Sequence, residues 1–225
     1  MKKRILIISP HPDDETLGVG GTIAKLIDQG NEVKVLTVSG HLPPLYKKSD
    51  YELTINEAME AYKILGLKNY KFLEIPSTMI GDMPVHKLNS QIGKVVEDFR
   101  PQIVFCPFPD RHIDHRLIFE SAMVATRPIK YGKEIELVAA YETLSETHWN
   151  APYIEPNFNH NLVIDISEYL TLKVDALKCF KSQITIEEGP RSLKAVESLA
   201  QFRGSQAGFS YGEACLLYTS DAADE

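Results

Sequence analysis

The stretch KRILIISPHPDDETLGVGGTIAKLIDQGNEVKVLTV, residues 3–38, contains a complete strand–helix–strand pattern. Residues 3–9 are dominated by a short apolar run, which is typical of a strand buried on both faces. Residues 16–29 carry apolar and small side chains at helical spacing, and Gly30 ends this predicted helix. Residues 33–38 form a second, β-branched strand. The stretch therefore predicts a βαβ unit with a right-handed crossover.

The same alternation continues along the chain. It predicts helices at residues 51–66, 85–99, 114–126, 168–182 and 192–206, and strands at 71–75, 102–106, 135–141 and 161–166. With 225 residues, 44% hydrophobic and 24% charged, the composition fits one globular domain. We expect an α/β fold: a Rossmann-like, three-layer α/β/α single domain with a mostly parallel sheet.

Charge and hydropathy exclude several classes of function. The net charge of −7 argues against a nucleic-acid partner. No apolar run approaches the roughly 18 residues of a membrane helix, and the apolar part of MKKRILIISP is shorter than a signal-peptide core. The three cysteines are widely spaced, so neither a disulfide framework nor a thiolate zinc site is expected. These features predict a cytoplasmic protein without membrane partners.

The last residues, CLLYTSDAADE at 215–225, resemble the translation of a sequencing-adapter sequence. We therefore expect a domain at residues 1–214 and a non-native tail at residues 215–225, and leave that tail, with Cys215, out of the predicted fold.

Two acidic, histidine-containing clusters follow predicted strands. HPDDE, residues 11–15, follows the first strand, and PFPDRHIDHR, residues 107–116, follows the fourth. In a doubly wound sheet ordered 3-2-1-4, strands 1 and 4 are neighbours, and ligands bind between their carboxyl ends. The clusters should therefore meet around a cation. Two imidazoles and one carboxylate with an open position are the ligand set of catalytic zinc, and iron(II) or another divalent transition metal can use the same set.

HPDDE together with HIDH resembles the motifs of the LmbE/PIG-L family of zinc-dependent N-deacetylases. The stretches YETLSETHW (141–149) and FRGSQAGFSYGEA (202–214) are also similar to segments of that family, so the resemblance extends to residue 214. It implies a ligand set for one Zn²⁺ per chain: His11, Asp14 and His115. It also implies three catalytic residues: Asp13 as general base, His112 as electrophilic or acid partner, and Asp114 as the group that orients His112.

The resemblance implies an N-acetylglucosamine-type sugar or glycoconjugate as substrate, and it allows a homo-oligomer. Two alternatives stay open: a metal-dependent amidase of another small conjugate, such as a thiol sugar, and an inactive sugar- or nucleotide-binding module. Glu142, Trp149 and Glu57 are the expected substrate contacts. Thr54 stands where many family members have an arginine three residues before the glutamate, and the insert at residues 41–50 is expected to reshape the same wall.

Overall fold

The structure is a computed structural model that describes residues 2–151, 153–184 and 188–218. The described residues contain seven strands: β1 (Arg4–Ser9), β2 (Glu32–Gly40), β3 (Asn69–Pro76), β4 (Ile103–Pro107), β5 (Leu137–Tyr141), β6 (Leu162–Asp165) and β7 (Gly212–Tyr218). They also contain seven α-helices: α1 (Asp14–Asp28), α2 (Lys48–Leu65), α3 (Val85–Phe99), α4 (Ile113–Ala125), α5 (Leu144–Thr147), α6 (Leu170–Leu177) and α7 (Leu193–Ala207). Two short 3₁₀ helices lie at Ile80–Asp82 and Lys130–Glu134.

All seven strands form one mixed sheet in the order β3-β2-β1-β4-β5-β7-β6. The strands from β3 to β5 are parallel, whereas β7 pairs antiparallel with both β5 and β6. This confirms the α/β fold with a mostly parallel sheet and the predicted order 3-2-1-4. The carboxyl ends of β1 and β4 are therefore adjacent.

The alternation of side chains along β1 sets the three layers. Ile5 and Ile7 pack in the core beneath α1, α2, α6 and α7, whereas Leu6 and Ile8 pack in the core beneath α3 and α4. All four side chains are fully buried. Burial of each contributes about 1.5–3 kcal/mol, so β1 anchors both faces of the fold.

The last described strand extends past residue 214, where the sequence predicts the end of the domain. Cys215–Tyr218 belong to β7, and Cys215 pairs with Tyr141 of β5 on one side and Leu162 of β6 on the other. These residues resemble the translation of an adapter, but they are also apolar and suited to a strand. Residues 219–225 lie outside the described residues, and the non-native origin of the tail stays a prediction.

Helix α1 is broken in the middle. Val19 has non-helical backbone angles, φ −135° and ψ 26°. Beyond this break, the carboxylate of Glu213 on β7 accepts hydrogen bonds from the backbone N–H groups of Gly21 and Thr22, at 2.9 and 2.7 Å. Lys173 of α6 neutralises this buried carboxylate at 2.6 Å. Lys173 Nζ also donates to the backbone carbonyl of Leu17, before the break, at 2.7 Å, so one lysine contacts both halves of α1.

None of the described helices is both long enough and apolar enough to cross a membrane.

Candidate active site

The two sequence clusters meet at the carboxyl ends of β1 and β4, as predicted. Asp14 is the first residue of α1, and His115 lies in the first turn of α4. One potential ligand atom from each of His11, Asp14 and His115 lies within 4.8 Å of the others. The distance from Asp14 Oδ2 is 2.9 Å to His11 Nδ1 and 3.3 Å to His115 Nε2.

Unsatisfied buried atoms show that this cluster fits a cation. Asp14 and His115 are fully buried, and neither Asp14 Oδ1 nor His115 Nε2 has a hydrogen-bond partner among the described residues. A buried polar atom without a partner is costly unless a ligand occupies the space before it. A second possible donor group, His11 with His112 and Asp114, shares one histidine with the first.

Each histidine of the first group is held from behind by a carboxylate. His11 Nε2 lies 2.9 Å from Asp114 Oδ2, and His115 Nδ1 lies 3.0 Å from Asp110 Oδ2. Metal-binding histidines almost always donate their outer N–H in this way, which fixes the tautomer and the ring plane. The arrangement leaves His11 Nδ1 and His115 Nε2 to face Asp14.

The expected role of Asp114 is therefore corrected. Its carboxylate contacts His11 and accepts the backbone N–H of Thr78 at 2.8 Å, rather than holding the far nitrogen of His112. The reason is local. His112 is the N-cap of α4, and its Nδ1 accepts the backbone N–H of Asp114 at 3.2 Å, so this nitrogen has no proton to donate to the Asp114 carboxylate.

Asp110 is a site residue that the sequence analysis missed. Its carboxylate, 1% exposed, accepts hydrogen bonds from His115 Nδ1, from Thr147 Oγ1 at 3.0 Å and from the backbone N–H of His112 at 2.9 Å. The signal was present in PFPDRHIDHR, where an aspartate lies five residues before His115. Asp110 connects β4, α4 and α5 behind the site.

The electrostatics of the cluster favour positive charge at its centre. Burial lowers the pKa of His11, but hydrogen bonds to Asp114 and Asp14 outweigh it and raise the pKa to about 9. Burial likewise lowers the pKa of His115, while the charge of Asp14 and the hydrogen bond to Asp110 raise it to about 10. Burial raises the pKa of Asp14, yet His115 and His11 hold it well below its usual range. The carboxylates thus stabilise positive charge where a cation would sit.

Asp13 stands beside the cluster in a strained conformation. It is 2% exposed and has a φ of 133°, a value that non-glycine residues rarely adopt. Burial raises its pKa to about 7, against the opposing charge of Arg191, whose Nη1 lies 3.0 Å from Asp13 Oδ2. A carboxylate with a pKa near neutrality is suited to accept and return a proton.

His112 faces the same space as a neutral imidazole. Burial, reinforced by the charges of His11 and His115, lowers its pKa to about 4. Because its Nδ1 accepts a hydrogen bond from the backbone of Asp114, its proton lies on Nε2. His112 is therefore suited to act as an electrophilic hydrogen-bond donor rather than as a charged acid.

A cavity of about 120 Å³ opens next to these groups. Two of its lining residues, His41 and Tyr46, come from the insert predicted to reshape this wall, and their rings contact each other with centroids 4.4 Å apart. The rest of the lining is His11, Pro12, Asp13, Gly40, Thr54, Ser77, Thr78, His112, Glu146, Gln183 and Arg191. Arg191 and Glu146 were not expected from the sequence.

Two of the expected substrate contacts, Glu57 and Glu142, form hydrogen bonds inside the fold, and their contact with a substrate stays a prediction. Glu57 accepts hydrogen bonds from the backbone N–H and the hydroxyl of Ser182, at 3.0 and 2.5 Å, and ties α2 to the segment after α6. Glu142 forms a bidentate pair with Arg203, at 2.8 and 2.7 Å, and contacts His148. Neither glutamate lines the cavity, because each carboxylate is turned to a partner inside the fold.

Trp149, the third expected contact, also lies off the cavity wall. Its side chain is exposed, and the guanidinium of Arg111 lies over its ring, 5.9 Å from the centroid. The loop after α5 carries Trp149 to the surface, and its contact with a substrate stays a prediction.

Comparisons with known proteins show which proteins this chain is similar to. Residues 6–126, 121 of the 225, match the family model described as PIG-L: GlcNAc-PI de-N-acetylase. The chain is 28% identical to a diacetylchitobiose deacetylase of Thermococcus kodakarensis over 94% of this chain and 81% of that protein. It is 25% identical to a protein of Bacillus anthracis, described as a probable N-acetyl-α-D-glucosaminyl L-malate deacetylase 2, over 81% of this chain and 82% of that protein.

A solved structure supports the fold. The N,N'-diacetylchitobiose deacetylase of Pyrococcus horikoshii superposes with a TM-score of 0.77, covering 96% of this chain and 84% of that one at 24% identity. Since the family match spans more than half of the chain and includes both motif clusters, this chain belongs to the PIG-L (LmbE-like) family.

Proposed function

We propose that this protein is a zinc-dependent N-deacetylase that removes the acetyl group from an N-acetylglucosamine-type sugar or glycoconjugate. The observation that carries the proposal is the convergence of His11, Asp14 and His115 beside Asp13, with a carboxylate behind each histidine. The names of the relatives, which act on chitobiose and on a glucosaminyl malate, support the substrate class.

The ligands that we assign to the metal are His11 Nδ1, the Asp14 carboxylate and His115 Nε2. Zinc in such a site lowers the pKa of a bound water to roughly 7 and polarises a carbonyl group. Two nitrogens and one carboxylate leave a position open for that chemistry. Iron(II) accepts the same donors.

Asp13 is the group that we assign to proton transfer. It takes a proton from the attacking water as the water oxygen forms a bond to the amide carbon. When the C–N bond breaks, Asp13 returns that proton to the leaving nitrogen, so that water and amide become acetate and amine. Arg191, paired with Asp13 at 3.0 Å and with Ser145 Oγ at 2.8 Å, keeps the carboxylate in place.

His112 is the group that we assign to the carbonyl oxygen. Its Nε2–H lines the cavity next to Asp13 and donates a hydrogen bond as negative charge develops on that oxygen. A fixed donor of this kind contributes about 2.7–4 kcal/mol to the stabilisation of a transition state.

The experiment is acetate release from N,N'-diacetylchitobiose and from N-acetylglucosamine. Metal-stripped protein should be inactive and should recover with one equivalent of zinc. Asp13→Asn should lower kcat by at least about 100-fold without loss of bound metal, whereas the surface variant Asp98→Asn should match the wild type. Full activity after complete metal removal, or in Asp13→Asn, would refute the mechanism. Location in the cytoplasm and self-association stay predictions.

A further inference from the structure

Glu146 is a carboxylate of the cavity wall that has no role in the reaction steps proposed above. It lies on the short helix α5 and lines the cavity with Asp13, His112 and Arg191. Within the described part of the chain, its carboxylate has neither a hydrogen bond nor an ion pair, and burial raises its pKa. Asp13, the other carboxylate of the lining, is already paired with Arg191.

The cavity offers no uncommitted cation to balance Glu146. The positive charges of His115 and Arg191 oppose the effect of burial on the pKa of Glu146, but neither group forms an ion pair with it in the described part of the chain. His115 lies against Asp14 and Asp110, and the guanidinium of Arg191 donates to Asp13 and to Ser145. Burial lowers the pKa of His41, which favours its neutral form. Lys47 and Lys48 follow Tyr46 in the chain but are not among the described lining residues. A substrate that carried its own carboxylate would therefore meet negative charge without a partner.

Resting on the deacetylase function proposed above, we propose that Glu146 selects amino-sugar substrates whose second group is neutral over those whose second group carries a carboxylate. An ionised carboxylate accepts hydrogen bonds from sugar hydroxyls but repels another carboxylate in a partly desolvated cavity. The relatives differ in this property, since chitobiose is neutral beyond the acetylated amine and malate is anionic. Specificity of this kind comes from a repulsive element as much as from an attractive one.

The test compares kcat/KM for N,N'-diacetylchitobiose and for N-acetylglucosaminyl malate. The wild type should prefer the neutral substrate. Glu146→Gln, which keeps the shape and removes the charge, should shift the ratio towards the malate conjugate by about tenfold, mainly through KM. Glu146→Ala should shift it in the same direction, and Glu168→Gln, an exposed carboxylate remote from the cavity, should leave it unchanged. A wild type that prefers the malate conjugate, or a Glu146→Gln ratio within twofold of the wild type, overturns the proposal.

Calorimetry separates this proposal from the deacetylase function. The ligands are the two free-amine products, which bind without turnover. If no substrate releases acetate, the proposed function fails, and the two dissociation constants still decide the role of Glu146. A tenfold shift of their ratio in Glu146→Gln supports the inference, and an unchanged ratio overturns it.

Discussion

The substitution Asp110→Asn tests how much the carboxylate that contacts His115 Nδ1 contributes to zinc affinity. Asp110 Oδ2 accepts two hydrogen bonds, from His115 Nδ1 and Thr147 Oγ1, and Oδ1 accepts one from the backbone of His112. An asparagine has one acceptor oxygen in place of two. If that oxygen faces His115, the new NH₂ group meets the N–H of His112, and an unsatisfied buried pair of this kind costs about 1–3 kcal/mol.

If the amide turns the other way, its NH₂ faces His115 Nδ1. The imidazole must then accept at Nδ1 and carry its proton on Nε2, where it cannot bind a metal. Either orientation weakens the site. Loss of such an outer partner typically lowers metal affinity by about 10–100-fold, which is about 1.4–2.7 kcal/mol at 1.36 kcal/mol per decade.

The assay is competition for zinc between the protein and a chromophoric chelator at pH 7, with circular dichroism to verify folding. Thr147→Ser is the matched control, because it keeps the hydroxyl that Asp110 accepts, and its zinc affinity should equal that of the wild type. A folded Asp110→Asn protein with a dissociation constant within twofold of the wild type would show that His115 is not a ligand, or that its tautomer is fixed by another group.

Three further predictions concern the scaffold. Gly18→Ala should destabilise the fold by about 1–3 kcal/mol in urea unfolding, because the new Cβ would lie 2.3 Å from the Tyr141 ring; an unchanged midpoint would contradict the close packing. Glu57→Gln should lower the unfolding free energy by about 1–3 kcal/mol and leave KM unchanged, and a selective rise in KM would restore Glu57 as a substrate contact. For Glu142, burial raises the pKa, but His148 and Arg203 outweigh this effect and lower the pKa below 4.5. The contribution of ionised Glu142 to the free energy of unfolding is therefore complete above pH 4.5, and it is lost as the pH falls through the pKa of the folded state. The difference in unfolding free energy between the wild type and Glu142→Gln should shrink below pH 4.5, and a constant difference would argue against an ionised pair.

The topology and the meeting of the two clusters could be predicted because they follow from chain order. A short apolar strand, a helix and a second strand fix the βαβ unit, and the order 3-2-1-4 makes β1 and β4 neighbours. The meeting of His11 and His115, 104 positions apart, then requires no knowledge of any side-chain contact.

The partners behind these histidines could not be predicted in the same way. Proximity in sequence predicts a contact between Asp114 and His112, whereas in the fold the Asp114 carboxylate contacts His11 and the His112 ring caps α4. Arg191 lies 178 positions from Asp13 in a loop, where periodicity carries no information. In YETLSETHW, sequence alone does not distinguish Glu142, which faces an arginine inside the fold, from Glu146, which faces the cavity.

The break at Val19 has a consequence for how this chain can evolve. The turn that carries Asp14 ends before the break, Glu213 holds the outer half of α1, and Lys173 contacts both Leu17 and Glu213. Substitutions will accumulate where the outer half of α1 packs on its helical neighbours. We expect the backbone at Val19 to adjust to them, so that the turn carrying Asp14 keeps its position. Lineages could then remodel the back of the molecule while the reacting atoms keep their alignment.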